Sequence, residues 1–170
     1  FDPARSYSAD ETVFIDQIYE APYRYHFLKR PYVLEPALAT VMPTVTYFDQ
    51  NMQPVTVESD SLAFSVYTVT LKQGVKYQPH PALATNKDGS PHYLFTTPEQ
   101  SAQYKTLYDF PKTGTREFIA GDLVYQIKRL SDPKNKSPLL GFLSNYIVGM
   151  SEFGEQVMKE DRSGWLDLRT

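Results

Sequence analysis

Residues 65–77, SVYTVTLKQGVKY, constrain the fold more than any other stretch of the chain. Just upstream, Leu62, Phe64 and Val66 fall on one face of an extended chain, while Ala63, Ser65 and Tyr67 fall on the other. That two-residue period is the mark of a β-strand. Lys72-Gln73-Gly74 closes the strand with a glycine turn, and residues 75–77 start another. A second piece, FIAGDLVYQIKRLSDP at 118–133, has a different period. Leu123, Val124, Ile127 and Leu130 make one apolar stripe, which predicts a helix over 121–130 that Asp132-Pro133 stops.

The remaining elements follow by the same reasoning. Ser8-Ala9-Asp10-Glu11 has the spacing of a capping box. Phe14, Ile15, Ile18 and Tyr19 then recur at helical spacing, so a helix is expected over 10–19, ended by Ala21-Pro22. Residues 23–27 read as a short strand, 29–31 as a connector and 35–40 as a helical turn at most. Strands at 45–48 and 54–57 frame the polar turn Asp49-Gln50-Asn51. Thr97-Pro98-Glu99 fits a cap with proline at the first helical position, predicting a short helix near 98–107. Ser137-Pro138 opens another helix, with Leu139, Leu140, Phe142, Leu143 and Tyr146 as its apolar face. A weaker amphipathic helix over 151–159 carries Phe153 and Val157, and Trp165-Leu166-Asp167-Leu168 starts a further element. The texture changes over 78–115, where prolines, Asp88-Gly89 and scattered aromatics predict a long insertion.

Bulk composition excludes several function classes. At 170 residues, with 41% hydrophobic and 14% aromatic content, the chain can build a real core. Tyr at 13, above Phe at 10 and a single Trp, favours strands and half-buried surfaces over a helical bundle. A net charge of −3 provides no field to draw nucleic acid or anionic lipid. The one basic cluster, Lys128, Arg129, Lys134 and Lys136, sits at a helix C-terminus, where the dipole favours cations. With zero Cys there are no disulfides, thiol nucleophiles or thiolate metal sites, which suits an exported protein. The chain opens at Phe1 with neither a charged, apolar leader nor an apolar run of spanning length, so it reads as a processed or excised piece.

Catalytic and metal chemistry is not indicated. His80 and His92 flank Asp88, but their separation fits no helical ligand pair and the loop between them has turn chemistry. They read as surface histidines, and His26, between Tyr25 and Phe27, as an ordinary strand-edge residue. There is no nucleophile elbow and no glycine-rich phosphate loop. Glu152, Glu155, Glu160 and Asp161 fit a solvated helix face; an enzyme pairing Glu152 or Glu155 with a histidine is the alternative such residues leave. The expectation is a non-catalytic binding or structural domain without a cofactor or metal.

Several ordered blocks resemble one family. Phe1-Asp2-Pro3 is similar to an opening Leu-Asp-Pro, Ile18-Tyr19-Glu20 to an aromatic-Glu pair on the first helix, and residues 35–39 to a Pro-x-Leu-Ala block. Residues 67–77 resemble a Tyr-x-Phe-x-Leu-Arg-x-Gly-Val-Lys-Phe strand and turn, and 116–125 a Thr-Ala-x-Asp-Val-x-Tyr helix start. Together these resemble the N-terminal lobe of the family 5 extracellular solute-binding proteins, the peptide-type receptors of ABC importers. Two departures stand out: Ile119 replaces the usual Thr cap, and 78–115 is far longer than the usual Asp-Gly turn.

The resemblance implies an α+β fold, a twisted, mainly antiparallel sheet with flanking helices, forming part of the first lobe of a two-lobed, type II periplasmic binding protein. Residues 1–170 would be a partial N-terminal lobe, with 78–115 inserted in it, lacking the first strand and the second lobe. The implied partners are a peptide or other small solute (nickel complexes, heme and sugars occur in the family), the permease subunits, and the C-terminal lobe of the same protein. No nucleic acid is implied. The location would be periplasmic or extracellular, the precursor carrying a signal peptide or membrane anchor. Matched residue by residue, the family's ligand contacts fall on Tyr7, Ser8 and Ala9, and on Leu139. The first segment would pair with an extended peptide by backbone hydrogen bonds. The bland reading makes Ser8 a helix cap and Leu139 core. A protein-interaction domain on the same fold, using 78–115 as its contact surface, is the alternative.

Overall fold

The computed structural model describes residues 1–160; the element expected at Trp165-Leu166-Asp167-Leu168 lies outside them. The architecture is α+β, mixing helices with small antiparallel sheets. The described chain divides into two compact units, one of residues 1–72 with 119–160, the other Gln73–Phe118.

In the first unit, helix α1 spans Ala9–Ile18. Ser8, in extended backbone, caps it by accepting the Glu11 N–H on Oγ at 3.2 Å, as the Ser-x-x-Glu spacing predicts. Strand β1 (Tyr23–Tyr25) pairs antiparallel with β2 (Leu34–Pro36). The helical turn expected over 35–40 is thus corrected to the end of a strand at 35–36 followed by non-helical chain. The strand's stabilisation comes from across the hairpin: Tyr23, Arg24 and Tyr25 face Pro36, Glu35 and Leu34, and Arg24 Nε reaches Glu35 Oε1 at 2.8 Å.

The second sheet has the order β4-β3-β5, with β3 at Thr44–Phe48, β4 at Pro54–Val55 and β5 at Phe64–Thr68. Asp49 Oδ1 folds the β3–β4 turn by accepting the N–H groups of Asn51 and Gln53, each at 2.8 Å. Among the described residues the single sheet expected is therefore two, of two and three strands. Between them, Ala37, Leu38 and Ala39 form a buried knot. Ala37 and Ala39 donate to the Pro22 carbonyl, while Thr40 donates to Thr70 and Lys72 to Leu38.

After residue 119 come α3 (Ala120–Ser131), α4 (Leu140–Leu143) and α5 (Met150–Lys159), following the α2 described below. Ile119 cannot cap α3 with its own side chain. Asp122 supplies the other half of the box, its Oδ2 accepting the Ile119 N–H at 3.0 Å. At the far end Asn135 Nδ2 donates to the Arg129 carbonyl at 2.8 Å, and Asp132-Pro133 ends the helix as expected. The helix expected from Pro138 to Tyr146 is corrected to the four-residue α4, with Phe142 and Tyr146 exposed and their rings tilted at 50° to each other rather than buried. The principal packing joins strand to strand and α3 to α5, not helix to sheet. The expected weaker helix is in fact the best buried: Met150, Gly154 and Val157 of α5 are all enclosed. A Cβ on Gly154 would stand 2.7 Å from the Ser131 carbonyl oxygen, so the absence of a side chain lets α5 approach α3.

In the second unit, residues 75–77 do not form the expected strand. They make one bridge, Lys76 to Glu117, where Tyr77 and Val75 bond backbone groups of Arg116 and Phe118, and the pairing resumes only as a second isolated bridge, His80 to Gly114. Helix α2 covers only Pro98–Ser101, with a separate 3₁₀ turn at Leu107–Asp109, in place of a helix over 98–107. Gln100 Oε1 accepts the Thr96 N–H at 2.7 Å and Asp109 Oδ2 those of Lys105 and Thr106, so each turn is closed by its own side chain. An aromatic cluster holds the unit: Tyr104 stacks on Phe110 with centroids 4.1 Å apart, and Tyr93 meets both edge-on. Gly114 is obligatory, since a Cβ there would overlap the Leu83 carbonyl group.

Candidate functional site

The segment Tyr7–Ser8–Ala9 is built from the chain's first residues. Asp2 organises a turn: its Oδ1 accepts the Ala4 N–H at 3.0 Å, and its carbonyl accepts those of Arg5 and Ser6, each at 2.9 Å. Arg129, in the last turn of α3, grips both oxygens of the same carboxylate, Nη1 to Oδ1 at 3.0 Å and Nη2 to Oδ2 at 2.5 Å. Partial burial works to raise the Asp2 carboxyl. The hydrogen bonds from Arg129 and Ala4, with the charges of Arg129 and Arg5, outweigh it and hold the group below the usual carboxylate range.

Beyond this turn, Ser6 Oγ donates to Glu11 Oε2 at 2.6 Å. That bond, then those of Ser8 and the Tyr7 N–H, hold Glu11 below its ordinary value. Tyr7 is 73% exposed, Ser8 has extended backbone (φ −79°, ψ 148°), and Ala9 is an exposed first residue of α1. Leu139 is half-buried before α4, its N–H on Ser137 Oγ at 3.4 Å. Among the described residues, no hydrogen bond or ring contact joins Leu139 to Tyr7–Ala9. The structure places the three N-terminal residues together and gives Leu139 a separate setting.

The histidines each close a local turn. His26 Nδ1 accepts the N–H groups of Leu28 and Lys29, at 3.1 and 3.3 Å, just past β1. His80 Nδ1 accepts the Ala82 N–H at 3.1 Å, and His92 Nδ1 pairs with Asn86 Oδ1 at 2.7 Å. Among the described residues no group of three or more His, Cys, Asp or Glu is arranged to hold a metal ion. Of the acidic residues on the last helix, Glu155 lies 3.8 Å from Lys159 and Glu160 accepts from Gln156, so these carboxylates form a solvated face.

The basic cluster is dispersed as well, with Arg129 on Asp2 and Lys128 over the Phe153 ring at 5.5 Å. A groove of about 190 Å³ runs along Pro133, Leu140, Ser151, Gly154, Glu155 and Met158, well under the size that encloses a drug-like ligand. Sequence reasoning missed Arg129 as part of the N-terminal segment. Its partner is 127 residues away, and a helix-terminal cation gives no sign of a distant carboxylate. No helix is long and apolar enough, among the described residues, to cross a membrane. Compared with known proteins, the chain matches no family model, no curated protein and no solved structure.

Proposed function

We propose that the chain forms one wall of a ligand cleft in an exported solute-binding protein of an ABC importer, a non-catalytic receptor for peptides or similar small solutes. One observation carries the reading. Tyr7 is exposed and Ser8 is extended backbone, and the pair is held at both ends, by the Asp2 turn on one side and the Ser8–Glu11 cap on the other. Such a strip can pair with an extended peptide without first being ordered, which lowers the entropy cost of binding. The ordered motif blocks, from Asp2-Pro3 to the start of α3, support the same family. The two-lobed frame belongs to this proposal too: Val13, Phe14, Ile18 and Tyr19 leave α1 with an apolar face for the rest of the same protein to cover. Closure of a second lobe would complete the cleft, and the permease would receive the solute.

The test uses the full-length protein and a mixed library of tri- to pentapeptides. Native mass spectrometry is expected to show one bound solute or library peptide per protein. Tyr7→Ala and Leu139→Ala are each expected to weaken that binding about tenfold, with the melting temperature nearly unchanged for the exposed Tyr7. No bound solute, or full affinity in both variants, overturns the reading. A second reading has its own observation: Tyr108 is 97% and Leu94 75% exposed on the second unit, as on a protein-contact surface. Loss of a partner protein, not of a peptide, in Tyr108→Ser would favour it.

A further inference from the structure

We propose that Arg129 is the positioning residue for the Tyr7–Ala9 segment, its two-pronged grip on Asp2 fixing where that segment stands. The functional consequence rests on the reading of Tyr7–Ala9 as ligand-facing; the clamp itself does not. Helix α1 buries none of its residues, and in the segment before it Ala4 alone is enclosed, a methyl group too small to fix the direction of the chain that follows. Among the described residues, the hydrogen bonds that leave residues 1–18 for a distant part of the chain are those between Asp2 and Arg129. The local cap ties Ser8 to α1, which moves with it, and cannot anchor the pair to anything else.

Arg129 is itself well placed to act as an anchor. It sits on α3, which packs on α5 where Gly154 meets the Ser131 carbonyl. Asn135 holds its carbonyl, and its Nη1 also reaches Gln126 Oε1 at 3.4 Å. The pair is mostly shielded, with side-chain exposures of 23% for Arg129 and 34% for Asp2, so solvent screens it less than a surface pair. A planar guanidinium on both carboxylate oxygens fixes direction as well as distance. From Asp2 the constraint passes along the backbone: the Asp2 carbonyl holds the Arg5 and Ser6 amides, and Tyr7 follows directly.

The experiment is amide hydrogen exchange on the full-length protein and its Arg129→Gln and Arg129→Lys variants. In Arg129→Gln the Arg5 and Ser6 amides are expected to exchange about tenfold faster, with the α5 amides unchanged. Arg129→Lys, which keeps the charge but not the fork, is expected to fall between. Unchanged exchange at Arg5 and Ser6 overturns the proposal. If Arg129→Gln loosens α5 as well, Asp2→Asn replaces it, because that change leaves α3 intact. Acceleration confined to residues 4–8 then supports the clamp, and its absence overturns it. Peptide-library affinity is read on the same samples. Faster exchange with weaker binding supports the clamp and the cleft together, whereas faster exchange with full affinity sustains the clamp and overturns the ligand-facing reading.

Discussion

Helices α1 and α5 are each ten residues long, carry apolar residues at helical spacing, and have opposite fates. On α1 and its C-cap, Val13, Phe14, Ile18 and Tyr19 are 64, 55, 61 and 52% exposed. On α5, Val157 is 1% and Met150 3% exposed. Periodicity makes both helices; a partner buries only one. The difference lies in the small residue: Gly154 lets the backbone of α3 come into contact, while the face of α1 is bulky along its length and offers no such seat. Close approach between helices thus depends on where the side chain is missing, as much as on where it is apolar.

The largest effect expected comes from putting the same amide on both helices. Val157→Gln buries an unpaired polar group and overfills its site, costing on the order of 3 kcal/mol in chemical denaturation. Ile18→Gln is expected to stay within about 0.5 kcal/mol. Equal costs would break the contrast. Next, Gly154→Ala forces its methyl toward the Ser131 carbonyl and is expected to cost about 1–3 kcal/mol. Gly141→Ala in α4, where nothing stands within 4 Å, is expected to stabilise by up to about 1 kcal/mol.

A smaller change sharpens the picture of α1. Ser8→Ala removes its cap and is expected to cost about 1 kcal/mol, seen as faster exchange in the first turn and not in α5. The smallest effect is one of pH. Because the folded Asp2 carboxyl titrates below its unfolded value of about 3.9, its contribution is complete above that pH and declines as pH falls through the folded value. Exchange protection at Arg5 and Ser6 is therefore expected to fail in acid before that of α5, whose close approach to α3 at Gly154 involves no titrating group. Simultaneous loss would show that the two regions unfold as one.

Local signals in the sequence account for much of this fold. The Ser8–Glu11 spacing, the α3 stripe, the Asp132-Pro133 stop and the alternation through Phe64 and Val66 each reflect one element's own chemistry, and each element is present. What escaped depends on partners. Strand β2 exists because β1 lies beside it, and Leu-Glu-Pro alone has no strand period. Residues 75–77 have strand composition but find only one bridging neighbour at Glu117. The burial of α5 turns on Gly154, which a hydrophobic stripe counts as a gap. Of the site, the exposed cap at Ser8 was legible, and the distant guanidinium that anchors it was not.

The ring cluster of the second unit has an optical consequence. Tyr93 and Tyr104 are fixed edge-to-face beside the stacked Phe110, so their transitions sit in a rigid, chiral arrangement that gives a near-ultraviolet circular dichroism signal. The helices dominate the far-ultraviolet spectrum, and most of them lie in the other unit. Tyr25–Tyr32 and Phe142–Tyr146 of the first unit add to the near-ultraviolet signal, so following both wavelength ranges in one melt weights the two units differently, without a label.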